Sequence, residues 1–95
     1  MDIQKSDLVT SLNGRDAGKI MMVLETLDDY AILADGKGRR AESPKRKKKK
    51  HLKFVSASDS RTAAKVRNDE KVSNSEIRRA LSEFSGGVKE EEGGM

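Results

Sequence analysis

Gly14-Arg15-Asp16-Ala17-Gly18-Lys19, running directly into Ile20-Met21-Met22-Val23-Leu24, is the stretch on which the fold turns. Two glycines four residues apart mark a tight, irregular turn, because glycine reaches the positive-φ backbone that other residues avoid. The apolar run after Lys19 is too short for a typical helix and too short to cross a membrane, so it reads as a buried strand. Ahead of the turn, Leu8-Val9-Thr10-Ser11-Leu12 reads as a strand with Leu8, Thr10 and Leu12 on one face and Val9 and Ser11 on the other. The unit is strand, glycine loop, strand, and Arg15 and Lys19 are the cations at its tip.

The second strand, Lys19 to Leu27, carries Ile20, Met22 and Leu24 on one side and Met21, Val23 and Leu27 on the other. A strand apolar on both faces needs cover on both. It therefore belongs at the centre of the sheet, with a barrel interior on one side and a later segment on the other. Asp28-Asp29 reads as a turn and Tyr30 to Ala34 as the third strand. Asp35-Gly36 predicts a two-residue hairpin. Arg39 to Glu42 then begins the returning strand, which Pro44 ends or confines to an edge. The basic residues 45–50 read as a charge-dense loop, and His51 to Val55 as the closing strand. Five short strands in about fifty residues predict a mostly β chain folded as a small SH3-like barrel.

Downstream, Ser58-Asp59-Ser60 is placed to cap a short helix over Arg61 to Arg67. Ser73 and Glu76 have the spacing of a capping box. Ile77, Ala80, Leu81 and Phe84 then fall on one face of a C-terminal helix, which Gly86-Gly87 is expected to stop near Ser85. Its stripe is the candidate cover for the second strand. The organisation expected is a barrel over 1–56, a helical extension over 57–86, and a disordered acidic tail over 87–95 that contains Glu90-Glu91-Glu92.

Charge is distributed unevenly. The net charge is +4, yet residues 1–44 carry −2 and residues 54–95 carry −1, while the nine residues 45–53 carry +7. Such a block attracts polyanions, and ordinary solvated faces interleave acids with bases, as this one does not. Charged residues make up 38% of the chain and mean hydropathy is −0.79, so no large core is available. Cysteine is absent, which removes disulfides, thiolate metal sites and a cysteine nucleophile. No basic segment leads into an apolar run after Met1, so no secretory signal is expected.

The candidate binding residues are Arg15 and Lys19 in the glycine loop, Lys37, Arg39 and Arg40 around the expected hairpin, and Lys45, Arg46, Lys47, Lys48, Lys49, Lys50 and His51 in the basic run. Cations in this density bind phosphate and release counterions. His51 has no second histidine or cysteine with which to share a metal, and reads as a strand-end side chain able to meet a base or phosphate. Gly14-x-x-x-Gly18-Lys19 is one residue short of a P-loop, and Ile20 stands where a serine or threonine would hold magnesium. Asp16 reads as the acceptor that organises its loop. Tyr30 and Phe54 read as core. No catalytic residue, cofactor or metal is expected. Pro44-Lys45-Arg46-Lys47-Lys48 also has the composition of a nuclear import signal.

The strand–glycine loop–strand unit resembles the KOW motif of ribosomal proteins and of transcription elongation factors of the NusG class. The resemblance extends through Ala34-Asp35-Gly36-Lys37 with Arg39-Arg40, Ser43-Pro44-Lys45-Arg46 and Lys50-His51-Leu52. Over roughly the first sixty residues this series is similar to the KOW-containing large-subunit ribosomal proteins of archaeal and eukaryotic type, families fourteen and twenty-seven, and their small bacterial relatives. The resemblance implies an SH3-like barrel and a glycine loop at an RNA-contacting edge. It further implies binding to structured, ribosomal RNA, with ribosomal proteins as further partners. The expected setting is the ribosome in the cytoplasm, with a monomer when free. The alternative expectation is a protein-binding KOW module of the transcription or translation machinery. A general nucleic-acid chaperone is a second rival.

Overall fold

A computed structural model describes residues 2–94, with side chains described through Phe84. The strands are β1 (Leu8–Ser11), β2 (Ile20–Leu27), β3 (Tyr30–Ala34), β4 (Lys45–Lys48) and β5 (Leu52–Ser56), followed by helices α1 (Arg61–Arg67) and α2 (Asn74–Gly94). All strand pairs are antiparallel, and the sheet order is β4-β3-β2-β1-β5, with β2 in the middle. The chain is mostly β, a small SH3-like barrel with helices packed on its outer face.

Two cores lie on opposite faces of β2, as its two-sided sequence requires. Val9, Met21, Val23, Ala31, Leu33 and Leu52 meet with Ile3 inside the curled sheet. Residues from β1, β2, β3 and β5 touch only because the sheet bends round to enclose them. On the outer face Leu8 and Met22 pack with Ala63 and Val66 of α1 and Ala80 of α2, flanked by Ile20, Leu24 and Leu81. Met21, Met22 and Ile77 are all fully buried, and each such side chain stabilises the fold by about 1.5–3 kcal/mol.

Both helices start where their caps are. The Ser60 hydroxyl accepts from the Ala63 amide at 3.1 Å. At α2 the Ser73 hydroxyl accepts from the Glu76 amide at 3.1 Å, while the Glu76 carboxylate accepts from the Ser73 amide at 2.9 Å. That reciprocal pair is a complete capping box. The helical backbone of α2 continues past Gly86-Gly87 to Gly94. Each helical glycine costs about 1 kcal/mol relative to alanine, which weakens a helix without ending it. The side chains of the tail over 87–95, expected to be disordered, lie outside those described.

Three further expectations are corrected. A bulge in β2 between Val23 and Glu25 flips the strand's parity, so Leu27 pairs with Tyr30 on the outer face, 51% exposed, rather than joining Met21 and Val23. Leu12 lies beyond the end of β1 and is also exposed. The returning strand does not begin at Arg39. It is the basic run itself, since β4 starts at Lys45 directly after Pro44 and pairs with β3 from Leu33↔Lys45 to Tyr30↔Lys48.

Local hydrogen bonds explain the longer connection. The Asp35 carboxylate accepts from the amides of Lys37 and Arg39, both at 2.9 Å, and the Arg39 carbonyl accepts from the amides of Asp35 and Gly36. The backbone is thus closed on itself before a hairpin ladder can start. The loop is also tied to α2: the Ala41 amide donates to Asn74 Oδ1 at 2.7 Å, and Arg78 donates to the Gly36 carbonyl at 2.7 Å.

Gly36 and Gly18 make different demands. Both have positive φ, 79° and 85°. A Cβ on Gly36 would stand 2.5 Å from the Asn74 carbonyl oxygen, whereas one on Gly18 would meet nothing within 4 Å. Gly18→Ala is expected to cost about 1 kcal/mol of backbone strain. Gly36→Ala should cost clearly more, because it also drives α2 away from the loop. Urea unfolding of the two variants measures the difference, and equal midpoints would show that the approach of α2 to Gly36 is not tight.

Candidate nucleic-acid interface

As an edge strand, the basic run distributes its side chains over two faces. Successive strand residues alternate, and Lys45 and Lys47 lie opposite the buried Leu33 and Ala31, while Arg46 and Lys48 lie opposite the outward Ile32 and Tyr30. The run is therefore a bilateral ridge rather than a loop. Lysine and arginine along a sheet edge also discourage pairing with another chain.

The inner half of the ridge joins the glycine loop. Lys47 Nζ lies 3.4 Å from the Asn13 carbonyl oxygen. Asp16, with a side chain only 5% exposed, accepts two hydrogen bonds from Arg39, at 3.0 and 2.8 Å, and faces Lys19 at 3.7 Å. Asp16 thus links the glycine loop to the Asp35–Pro44 connection, a wider task than organising its own loop. The Arg39 hydrogen bonds hold the Asp16 carboxyl below its ordinary value against the desolvation of burial, and Lys19 and Lys45 strengthen the effect. Arg39 and Lys19 are consequently part-neutralised, while Arg15 at the loop tip is exposed with no partner among the described residues.

The remaining candidates divide further. Arg40 donates to Glu42 at 2.9 Å, which occupies it with an acid. Lys37 shares a groove of about 530 Å³ with Lys19 and Arg78. Lys49, Lys50 and His51 form a single 3-10 turn between β4 and β5. The His51 carbonyl accepts from the Leu12 amide at 2.9 Å, which fixes the turn to the end of β1. Lys49 and Lys50 border a cleft with Lys53 and Phe54. No single flat surface contains all twelve candidates.

Sequence reasoning missed two contributors. Tyr30 is not core: it belongs to neither buried cluster, and the Arg46 guanidinium carbon lies over its ring at 4.7 Å from the centroid. Alternation along β3 sends Ala31 and Leu33 inward and Tyr30 outward. Phe54 likewise lies outside both clusters and is half-buried. Arg78 was invisible because it sits on the polar side of α2, where its role depends on the distant Gly36 carbonyl.

Three carboxylates fasten this region, and all are depressed. Hydrogen bonds from Asn74 and then Arg40 bring Glu42 down to about 2 from an ordinary 4.5. Lys65 and the Ser73 amide lower Glu76, and Asp16 is lowered as above. A carboxyl with a depressed folded-state pKa stabilises above its unfolded value and loses that contribution as pH falls through its folded value. The melting temperature should therefore decline as pH falls from 4.5 toward about 2. Melting curves followed by circular dichroism check this, and Glu42→Gln, which does not titrate, should show a shallower decline.

Among the described residues no cluster of three His, Cys, Asp or Glu is arranged to hold a metal, and no helix is long and apolar enough to cross a membrane. No protein-family model matches the chain, and no curated protein matches it.

Proposed function

We propose that the chain binds structured RNA without catalysing a reaction, as a ribosomal or ribosome-associated protein of the cytoplasm, with large-subunit ribosomal RNA as its target. The observation that carries the reading is the acid-free run 45–51, whose residues 45–48 form an edge strand and whose residues 49–51 form the turn after it, with Arg15, Lys19, Lys45 and Lys47 in or beside the glycine loop. Cations fixed by a sheet lose less side-chain freedom on binding than those of a floppy tail. Recognition of this kind reads shape and phosphate positions.

A second reading, a protein-binding KOW module, draws support from one feature. A cleft of about 770 Å³ has Leu24, Val66 and Val72 among its lining residues and carries Glu42, Asp69, Glu70 and Glu76 around them. Of these acids Glu70 has no ion-pair partner among the described residues, while Glu42, Asp69 and Glu76 are held by Arg40, Lys5 and Lys65, so the apolar floor is what would take a peptide. Pull-down from cell extract with and without nuclease separates the two. Recovery of large-subunit RNA, and loss of all ribosomal material after nuclease, is the expected result. A defined protein partner that survives nuclease and is lost on Val72→Asp would favour the second reading.

A further inference from the structure

Tyr30 and Arg46 form a contact that phosphate binding alone does not require. We infer that this pair is a stacking platform for an unpaired base, so that the nucleic acid taken by the outer face of β4 contains single-stranded nucleotides. The inference deepens the RNA-binding reading above and rests on it.

The geometry has three parts. The Arg46 guanidinium stands over the Tyr30 ring at 4.7 Å, within the range of a favourable cation–π contact. Tyr30 is half-buried, which anchors the ring, and Arg46 is exposed, so the side of the guanidinium turned away from the ring is the one open to a ligand. Lys48, the cross-strand partner of Tyr30, holds its ammonium 6.0 Å from the same ring and is available for the phosphate of a base stacked there. Leu27, the other cross-strand partner of Tyr30, is 51% exposed on the same face and extends the apolar ground beneath.

A paired base in a duplex presents only its edges, so such a platform is useless to a continuous helix. A loop, bulge or end offers free π-faces, which stack on aromatic rings and on arginine planes. The two halves of the ridge thus have separate tasks: the inner cations meet phosphate, and the outer pair takes a base.

Tyr30 makes the test direct. The chain has one tyrosine and no tryptophan, so its intrinsic emission comes from position 30 alone. Two labelled single strands of about twelve nucleotides, long enough for a typical single-strand site, are titrated into the full chain. One is oligouridylate and the other is the same backbone without bases. Anisotropy reports binding, and tyrosine emission, corrected for absorption by the bases, reports stacking. The expected result is quenching by oligouridylate only, with affinity about fivefold or more above that for the abasic strand, the lower range of one base–aromatic stack. Arg46→Lys keeps the charge and removes the plane, and it should bring the ratio of the oligouridylate and abasic affinities close to one, whatever it does to either affinity alone. Tyr30→Leu, an apolar replacement, should do the same.

Equal affinity for both strands with unquenched tyrosine overturns the platform and leaves phosphate recognition standing. Quenching with a preference that survives both substitutions also overturns it. Failure of both strands and of a structured RNA to bind removes the RNA reading itself, and the platform with it.

Discussion

Replacing Lys47, Lys48, Lys49 and Lys50 with glutamine is expected to weaken binding to structured RNA by about 10- to 100-fold near 0.1 M salt and to remove roughly 1.4 to 1.8 from the log–log salt slope, the share of about two phosphate contacts. The estimate follows from geometry as well as charge. Lys47 lies on the inner face and Lys48 on the outer, so one RNA surface engages only part of the set, and each phosphate contact is worth about −0.7 to −0.9 in slope. The fold is expected to survive: at positions 47 and 48 glutamine pairs its backbone with β3 as lysine does, positions 49 and 50 lie in the turn, and the run supplies no side chain to either core. Glu90, Glu91 and Glu92 changed to glutamine form the control, with binding equal or slightly tighter. Affinity measured at several salt concentrations for the three proteins decides the matter. A lysine variant with the parent's affinity and slope would reduce the ridge to an aggregation guard.

Ile77→Asp is expected to destabilise the protein by about 3–5 kcal/mol, a large part of the 5–15 kcal/mol typical of a domain. Ile77 is wholly buried, and taking a carboxylate out of water there carries the full desolvation penalty of a charge. Leu81→Asp should cost less, because Leu81 is only partly buried against the outer core. Urea unfolding followed by circular dichroism gives both values. An Ile77→Asp protein melting within about a degree of the parent, where surface changes fall, would mean that α2 does not pack where its stripe implies.

Much of the architecture was legible because it depends on short-range signals. The two-sided pattern of β2 required a barrel on one face and helices on the other, and Ser60, Ser73 and Glu76 mark their caps with the atoms they use. Gly18 adopts the positive φ that its place in the loop demanded. What failed depended on which of several partners a group takes. Asp35-Gly36 looks like a hairpin, but the Asp35 carboxylate takes the Lys37 and Arg39 amides and closes the loop locally, and Asn74 and Arg78, some forty residues on, then fasten it to α2. One bulge residue reversed the outward side of β2 and moved Leu27 out of the expected core. The basic residues were identifiable from sequence, but not their arrangement, because alternation becomes apparent only once a run is known to be a strand.

The bonds from Asn74 and Arg78 to the Asp35–Pro44 connection set an order of events during synthesis. A ribosome adds residues at about 5–20 per second, so β1 to β5 leave it seconds before the residues that fasten this connection. Until Asn74 receives the Ala41 amide and Arg78 reaches Gly36, the segment leading into the lysine ridge lacks its outer anchor. A nascent chain therefore carries its cations before it can present them in their final array. On the RNA-binding reading proposed above, the phosphate-facing array takes its final form only after α2 has been made.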